Sequence, residues 1–357
     1  MGCGGKMKRG RRFHSEEPGY GLRLGDGDAW FLTASADARD WLDRFARILG
    51  LEGGTGSEPL RIVFSRGSDP HGEAHPPVDP WDPRRRRTVR VRCADKACSE
   101  VLCEILKDTP DDVRSVSMWS ALMPIYRRAR ERGGLPLHAA LAERDGKGVL
   151  LAAPGGTGKS TACRRMPAPW IARADDETLV VRTRKGGYRA HPFPTWSDFL
   201  CGRVSPARKV ERSVPVQAVF FLEQSEKDDA APLGQAEAAV MLNGSAVEVC
   251  SKYWLGIEKE DEIAQRRAVF ANACDFARRV PAYALRLSLH GRFWEEVEKA
   301  LDGRLLLSDV SPPPDAGRLR MLRCVETGGR SREAESPGCN PLPKRFDLPD
   351  FPLWDSE

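Results

Sequence analysis

The chain of 357 residues is 41% hydrophobic, yet no apolar run approaches the roughly 20 residues a helix needs to cross a bilayer; a helical membrane protein is excluded and a soluble, cytoplasmic one is expected. Its 56 basic and 51 acidic residues leave a net charge of +5, and clusters such as RRRR at 84–87 stand without any reading motif, so the charge gives no basis for a nucleic-acid partner. Single hydrophobic cores stop growing near roughly 250 to 300 residues, so two domains plus loose ends are expected.

The opening MGCGGKMKRGRRF is basic but is not followed by an apolar segment. It predicts neither a signal peptide nor a membrane anchor, and residues 1–18 read as a flexible basic arm. GLRL, GDGD and AWFLTA then predict a β-hairpin over 20–34 with Gly and Asp at its tip. In DARDWLDRFARIL, residues 37–49, Trp41, Leu42, Phe45 and Leu49 recur on one face of a helix. LRIVF at 60–64 and TVRVRC at 88–93 read as strands, separated by a stretch too rich in Pro, Gly and charge for regular structure. There Asp69, His71, Glu73 and His75 alternate like metal ligands, but Pro70, Pro76 and Pro77 beside them favour an exposed loop. Helical segments near 97–107 and 111–132 complete a small N-terminal α+β domain over 19–133. Cys93, Cys98 and Cys103 are spaced five apart, and the chain's ten cysteines include no CxxC pair; this fits neither a zinc site nor a disulfide framework, so reduced thiols are expected, several packed as small apolar residues.

From 134 to 308 the elements are sharper. PLHAALAE, RDGKG and VLLAA predict a strand, a tight Asp-Gly turn and a strand that runs straight into the glycine loop APGGTGKST, residues 153–161. The pattern GxxxxGK[ST] curls backbone N–H groups around phosphate oxygens, sets a lysine against the terminal phosphates and offers a hydroxyl to magnesium. Ala153 stands at the first glycine position, leaving the close approach to Gly155, Gly156 and Gly158, with Thr157 between them and Lys159, Ser160 and Thr161 opening a helix whose dipole favours anions. That short helix ends at Pro167. WIARADD then predicts a strand lying beside the first in a parallel sheet, its end brought to the phosphates. There Asp175 would serve the magnesium ion, and Asp176, unliganded, could accept the proton of an attacking hydroxyl. Pairing Ala142 with Gly148 across the hairpin places His138 opposite Ala152, where it either orients an aspartate or fills a strand position. A hairpin over 177–193, a buried strand at 216–224, an amphipathic helix at 258–280, a strand at 283–289 and a helix at 293–301 follow. Residues 309–357 are rich in Pro, Gly, Arg and Ser and read as a disordered or loosely docked tail.

His138 on a strand, the DG hairpin, the glycine loop and the ADD strand end together resemble the catalytic domain of the HPr serine kinase/phosphorylase family. LHAAL, GGTGKSTACRR, ADDETLVV and HPFPTWSDF resemble the ScmC type of the SynChlorMet peptide-modification cassettes, itself HPr-kinase-like. The resemblance implies an α/β domain, α+β overall, with a mixed sheet and flanking helices behind the smaller N-terminal domain. It implies ATP or GTP with Mg2+, and phosphoryl transfer to a hydroxyl of a small protein or ribosomally made peptide. Lys159 would hold the transferring phosphate, Ser160 and Asp175 the magnesium, Asp176 would act as base and His138 would support it. Radical-SAM enzymes and a small PqqD-like peptide-binding protein would be cassette partners, and homo-oligomerisation stays open. Thr161 stands where the kinase family often carries an acidic residue. No downstream phosphorolysis loop is recognisable beyond the basic residues Arg203, Arg208 and Lys209, so kinase rather than phosphorylase activity is implied. The alternative is an accessory protein in which nucleotide binding is a conformational switch for a partner enzyme.

Overall fold

A computed structural model describes residues 18–56, 58–67, 88–94, 98–109, 111–200, 209–254 and 257–303. The loop carrying Asp69, His71, Glu73 and His75, the residues Arg203 and Arg208, the N-terminal arm and the C-terminal tail lie outside them. The described residues form one compact unit built on two mixed sheets.

The hairpin forms as its alternation and glycine tip require: Gly19–Leu24 (β1) pairs antiparallel with Asp28–Ala34 (β2). Arg39–Leu49 (α1) buries Trp41, Leu42, Phe45 and Leu49, and Gly50 ends it in the left-handed conformation that glycine adopts without steric cost. Gly53–Gly54 (β3), Leu60–Arg66 (β4), Val89–Cys93 (β5) and Glu100–Ile105 (β6) complete a six-stranded sheet in the order β3-β1-β2-β4-β6-β5. The helix expected near 97–107 is therefore a strand. Val101, Cys103 and Ile105 are buried while Leu102 is exposed, a two-residue period, and β6 is held between β4 and β5.

Two cysteines also depart from expectation. Cys93 and Cys98 form a disulfide with Cα atoms 4.9 Å apart, within bridging range. The positive φ of Cys98, 48°, turns the chain back toward β5, a geometry that spacing alone does not reveal. Cys103, Cys163 and Cys250 are in no disulfide and are buried, as small apolar residues would be.

Two helices follow, Asp111–Ser120 (α2) and Met123–Glu131 (α3). Leu135–Leu137 (β7), Ala139–Arg144 (β8) and Lys147–Ala152 (β9) then enter the second sheet. Asp145 and Gly146 both take positive φ, 52° and 74°, the two-residue turn that matches strand twist. This turn pairs Arg144 with Lys147, Glu143 with Gly148 and Ala139 with Ala152. The register is thus one residue from the expected one, and His138 is not opposite Ala152. It sits outside the ladder, at the bend where the chain leaves β7 and enters β8.

Lys159–Arg165 (α4) leads to Ile171–Ala174 (β10), Thr178–Arg182 (β11), Tyr188–Pro192 (β12), Trp196–Leu200 (α5) and Val214–Gln224 (β13). Asp229–Pro232 (β14), Gln235–Cys250 (α6), Lys259–Ala277 (α7), Ala282–Leu287 (β15) and Phe293–Leu301 (α8) close the unit. The sheet runs β10-β8-β9-β13-β12-β11-β7, with β15 parallel to β13 and β14 on β15. The expected parallel neighbour of β9 is therefore not β10. The antiparallel β8 lies between them, because the tight hairpin already occupies that edge of β9, and β13 takes the other.

Three apolar clusters hold these layers. One joins Leu22, Trp30, Phe45 and Phe64 of the first sheet and α1 to Leu179, Val181 and Phe193 from around β11 and β12. A second lies between β8, β9 and the helices α6 and α7, and a third beneath α4 and α8. At about 1.5 to 3 kcal/mol for each large apolar side chain fully buried, the first cluster makes the two sheets depend on each other.

His191 pins the same junction. It is fully buried, and its Nδ1–H donates to the Val210 carbonyl at 2.7 Å while Nε2 accepts from the Gly25 N–H at 3.0 Å. Both roles are met only by the neutral ring. Burial pushes its pKa down to about 4; the Val210 carbonyl opposes this and Arg189 adds to it. The unfolded ring titrates near 6.5, so this contribution to stability is fully present above that pH and is lost as pH falls toward about 4. At about 1.4 kcal/mol per pKa unit the loss is on the order of 3 kcal/mol. Urea denaturation should show a larger drop in stability between pH 7 and 4.5 for the wild type than for His191→Gln; equal drops would remove His191 from the acid sensitivity.

Candidate functional site

β9 delivers the glycine loop. Its residues Val149, Leu150, Leu151 and Ala152 are buried, so the strand is rigid up to the point where residues 153–158 leave the sheet. Gly156 and Gly158 take φ of 78° and 104°, which side chains rarely adopt. A Cβ built on Gly155, Gly156 or Gly158 would meet nothing within 4 Å: the loop faces open space. Lys159, only 5% exposed, folds back beneath it, and its ammonium donates to the carbonyls of Ala153 at 2.8 Å and Pro154 at 3.2 Å. Burial pulls the Lys159 pKa down, with Asp176 and Glu248 opposing. Thr157 offers its carbonyl to Gln224 Nε2 at 3.3 Å, and Thr161 is exposed on the first turn of α4.

Beyond β10 come three consecutive acids with three separate attachments. The Asp175 carbonyl accepts the Ser160 hydroxyl at 3.2 Å, and its carboxylate accepts the Thr195 hydroxyl. Asp176 Oδ1 lies 3.0 Å from His138 Nε2. Glu177, 3% exposed, accepts from Tyr126 Oη and from Trp119 Nε1 at 3.2 Å, and Lys252 Nζ lies 3.5 Å away.

The expected residues therefore converge. Lys159, Ser160, Asp175, Asp176 and His138 meet at the C-terminal end of β9. His138 reaches it from the β7–β8 bend, where its other ring nitrogen, Nδ1, stands 2.6 Å from Glu248 Oε1, a close ion pair that falls short of a directed hydrogen bond. Burial would lower the His138 pKa, but the Asp176 and Glu248 carboxylates outweigh it and hold the ring above its ordinary value, against some repulsion from Lys159. Asp176 responds in the opposite sense: burial raises it, and His138, Lys159 and Lys252 outweigh that and hold it below the ordinary carboxylate value.

Sequence reasoning missed Glu177, Thr195, Glu248 and Lys252. Glu177 was visible as the third acid of ADDE. The others come from α6, from the turn after it and from the loop before α5, where no spacing links them to the glycine motif.

The fold and site define a mixed α/β protein whose glycine-rich loop opens beside a histidine and an acidic strand end. Residues 101–302 match the family described as SynChlorMet cassette protein ScmC, and the chain belongs to that family. No curated protein matches the chain. Among the described residues no helix is long and apolar enough to cross a membrane, and no group of three or more His, Cys, Asp or Glu side chains is arranged to hold a metal ion.

The Glu177 carboxylate is the most costly group here to strip of a partner. Tyr126→Phe leaves the ring packing against Phe193 and Tyr253 but removes one donor to a buried charge, a loss of about 1 to 3 kcal/mol. Chemical denaturation should report that loss. A neutral Tyr126→Phe would mean the hydroxyl does not support Glu177.

Proposed function

We propose that this chain is an ATP- and magnesium-dependent phosphotransferase of the HPr kinase type, acting on a hydroxyl of a small protein or ribosomally made peptide in a peptide-modification cassette. The observation that carries this reading is the division of labour between Asp175 and Asp176. Asp175 takes the Ser160 hydroxyl on its backbone carbonyl and the Thr195 hydroxyl on its carboxylate, while the Asp176 carboxylate faces His138. The donor set fits the nucleotide and its ion. Gly155, Gly156 and Gly158 leave the loop face open, Lys159 is a buried cation bonded to neutral carbonyls, and Ser160 and Asp175 offer the hard oxygens that magnesium takes from proteins one or two at a time.

Bound magnesium would neutralise charge on the phosphate oxygens. The chain's own residues do the rest. The loop N–H groups and Lys159 hold the terminal phosphate, exchanging the Ala153 and Pro154 carbonyls for phosphate oxygens. Asp176 takes the proton of the acceptor hydroxyl as its oxygen bonds to the γ-phosphorus and the bond from that phosphorus to the bridging oxygen of ADP breaks. His138 holds Asp176 in place. Asp176 is held below the ordinary carboxylate value, so it is ionised and ready to accept at neutral pH. The acceptor oxygen then gains nucleophilicity only as the new bond forms, as a loose phosphoryl-transfer transition state allows.

A second reading is an ATP-driven switch for a partner maturation enzyme. The attachment of Glu177, one residue past Asp176, to Trp119 and Tyr126 of α2 and α3 favours it, because a change at the phosphate loop would be felt by those helices.

ATP with magnesium should raise the melting temperature, since a ligand that binds only the folded state adds about 2.7 kcal/mol at a hundred times its dissociation constant. Lys159→Ala should abolish most of the shift. Asp176→Asn should keep nucleotide affinity within a few fold by calorimetry, while phosphate incorporation into cassette peptides, followed by mass spectrometry, falls roughly 10²- to 10⁴-fold. No incorporation by the wild type, with nucleotide binding intact and a partner enzyme responding to ATP, would establish the switch instead.

A further inference from the structure

His138 is held by more than Asp176. It stands at the bend between β7 and β8, where its backbone belongs to neither ladder. Both backbone groups are taken up by one residue of α6: the His138 N–H donates to the Ser245 carbonyl at 3.3 Å, and the Ser245 hydroxyl donates to the His138 carbonyl at 3.3 Å. Ser245 and Glu248 are three residues apart and so share a helix face. The same face that ties down the backbone sets Glu248 Oε1 2.6 Å from Nδ1 while Nε2 is 3.0 Å from Asp176 Oδ1.

We propose that Glu248, with Ser245, is a positioning residue of the site: it holds the His138 ring in its doubly protonated form, so that Nε2–H is directed at Asp176 whatever occupies the site. The chemistry follows from the donor inventory of imidazole. A neutral ring carries one N–H and one lone pair. Between two carboxylates, 2.6 Å from Nδ1 and 3.0 Å from Nε2, a lone pair on either nitrogen would lie close to a negative oxygen, which is repulsive even where the contact is not aligned as a hydrogen bond, so both nitrogens carry protons. The groups that face the ring are Asp176 from the end of β10, Glu248 from α6 and Lys159 from α4, with Lys252 beyond α6 acting on Asp176; the two carboxylates outweigh the lysine's repulsion and burial together. A permanent imidazolium anchors Asp176 and is not itself a proton acceptor. This separates the two members of the pair into one fixed cation and one base. The proposal rests on the assignment of Asp176 as proton acceptor, but the protonation state of His138 can be read without any transfer assay.

The test uses the full chain labelled with 15N-histidine. The sequence has six histidines, and His138→Gln assigns the His138 ring signals. At pH 7.5 the wild type is expected to show both His138 ring nitrogens protonated. In Glu248→Ala and in Glu248→Gln, which keeps the shape but not the charge, the His138 midpoint should move down in pH, and one nitrogen should carry a lone pair at pH 7.5. Glu248 is half exposed, so neither change threatens the fold, and Ser245→Ala provides an independent loosening of the same bend. Nucleotide affinity should change less than twofold. Transfer should fall roughly tenfold, the lower end of the loss seen when the partner orienting a metal-bound histidine is removed, with the alkaline limb of its pH profile displaced toward lower pH. An unchanged His138 titration in both Glu248 variants would overturn the proposal, as would a neutral ring in the wild type at pH 7.5. If the wild type transfers no phosphate, the kinase reading fails while the ring spectra still decide the role of Glu248.

Discussion

Three adjacent carboxylates just past a strand end, two half-buried and one buried, are the constraint from which the rest of this structure follows. Like charges within a few ångströms of each other raise one another's pKa and destabilise the site unless each finds its own partner. Here the partners come from different directions. Asp175 is met by Thr195 before α5, Asp176 by His138 from the β7–β8 bend, and Glu177 by α2, α3 and the segment after α6. They can do this because all three acids lie past the end of β10, in the bend before β11, where each side chain leaves the chain in its own direction. The run can be dense in charge because it is not shared.

The Glu177 attachment explains why the first sheet is not an ornament. Trp119 and Tyr126 lie on helices that follow that sheet in the chain, and both end on a carboxylate one residue from Asp176. Lys252 completes the arrangement by resting 3.2 Å from the centroid of the Trp119 ring while facing Glu177, a position that burial alone would make costly for an ammonium and that lowers its pKa against the pull of Glu177, Asp176 and Glu248. Stacking on the indole face and pairing with the carboxylate share that cost. The apolar cluster that joins Leu22, Trp30 and Phe45 to Leu179 and Phe193 runs alongside, so the polar link lies in a place that packing has already made rigid.

Much of this is legible in the sequence. The periodicity of α1, the Gly-Asp hairpin tip, the Asp-Gly turn and the glycine loop are local signals, and the structure places each where its residues put it. What failed was non-local. The segment near 97–107 reads as a helix by itself, and only β4 and β5 on either side show β6 as a strand of two-residue period. β10 was placed beside β9 because a short crossover suggests it, whereas the two-residue turn had already committed that edge to β8. The expected register for His138 is off by one, and the structure sets its ring beside Asp176. Its significance comes from not being in the ladder at all: a strand histidine would spend its backbone on neighbours, while this one is left to Ser245. Glu248 and Lys252 were invisible for a different reason. They lie more than seventy residues beyond the acidic run and acquire meaning only through the packing of α6 against β7.

The charge balance of the assembled site shows why these late arrivals are needed. Asp175, Asp176, Glu177 and Glu248 contribute four negative charges. Lys159 and Lys252 supply two positive ones, and a doubly protonated His138 supplies the third, leaving one negative charge where a neutral ring would leave two. Each further uncompensated charge in a partly buried site costs several times what it would in water, since the effective dielectric falls toward about 20. The imidazolium is thus favoured by the whole cluster as well as by its two nearest oxygens. Its backbone is tied to Ser245 as well as its ring to the acids, whereas the Lys159 ammonium rests on the Ala153 and Pro154 carbonyls and that of Lys252 on an aromatic face and a single carboxylate. The bend between β7 and β8 thus fixes one positive charge through main chain and ring together, beside an acid that is otherwise offset by Lys159 and Lys252.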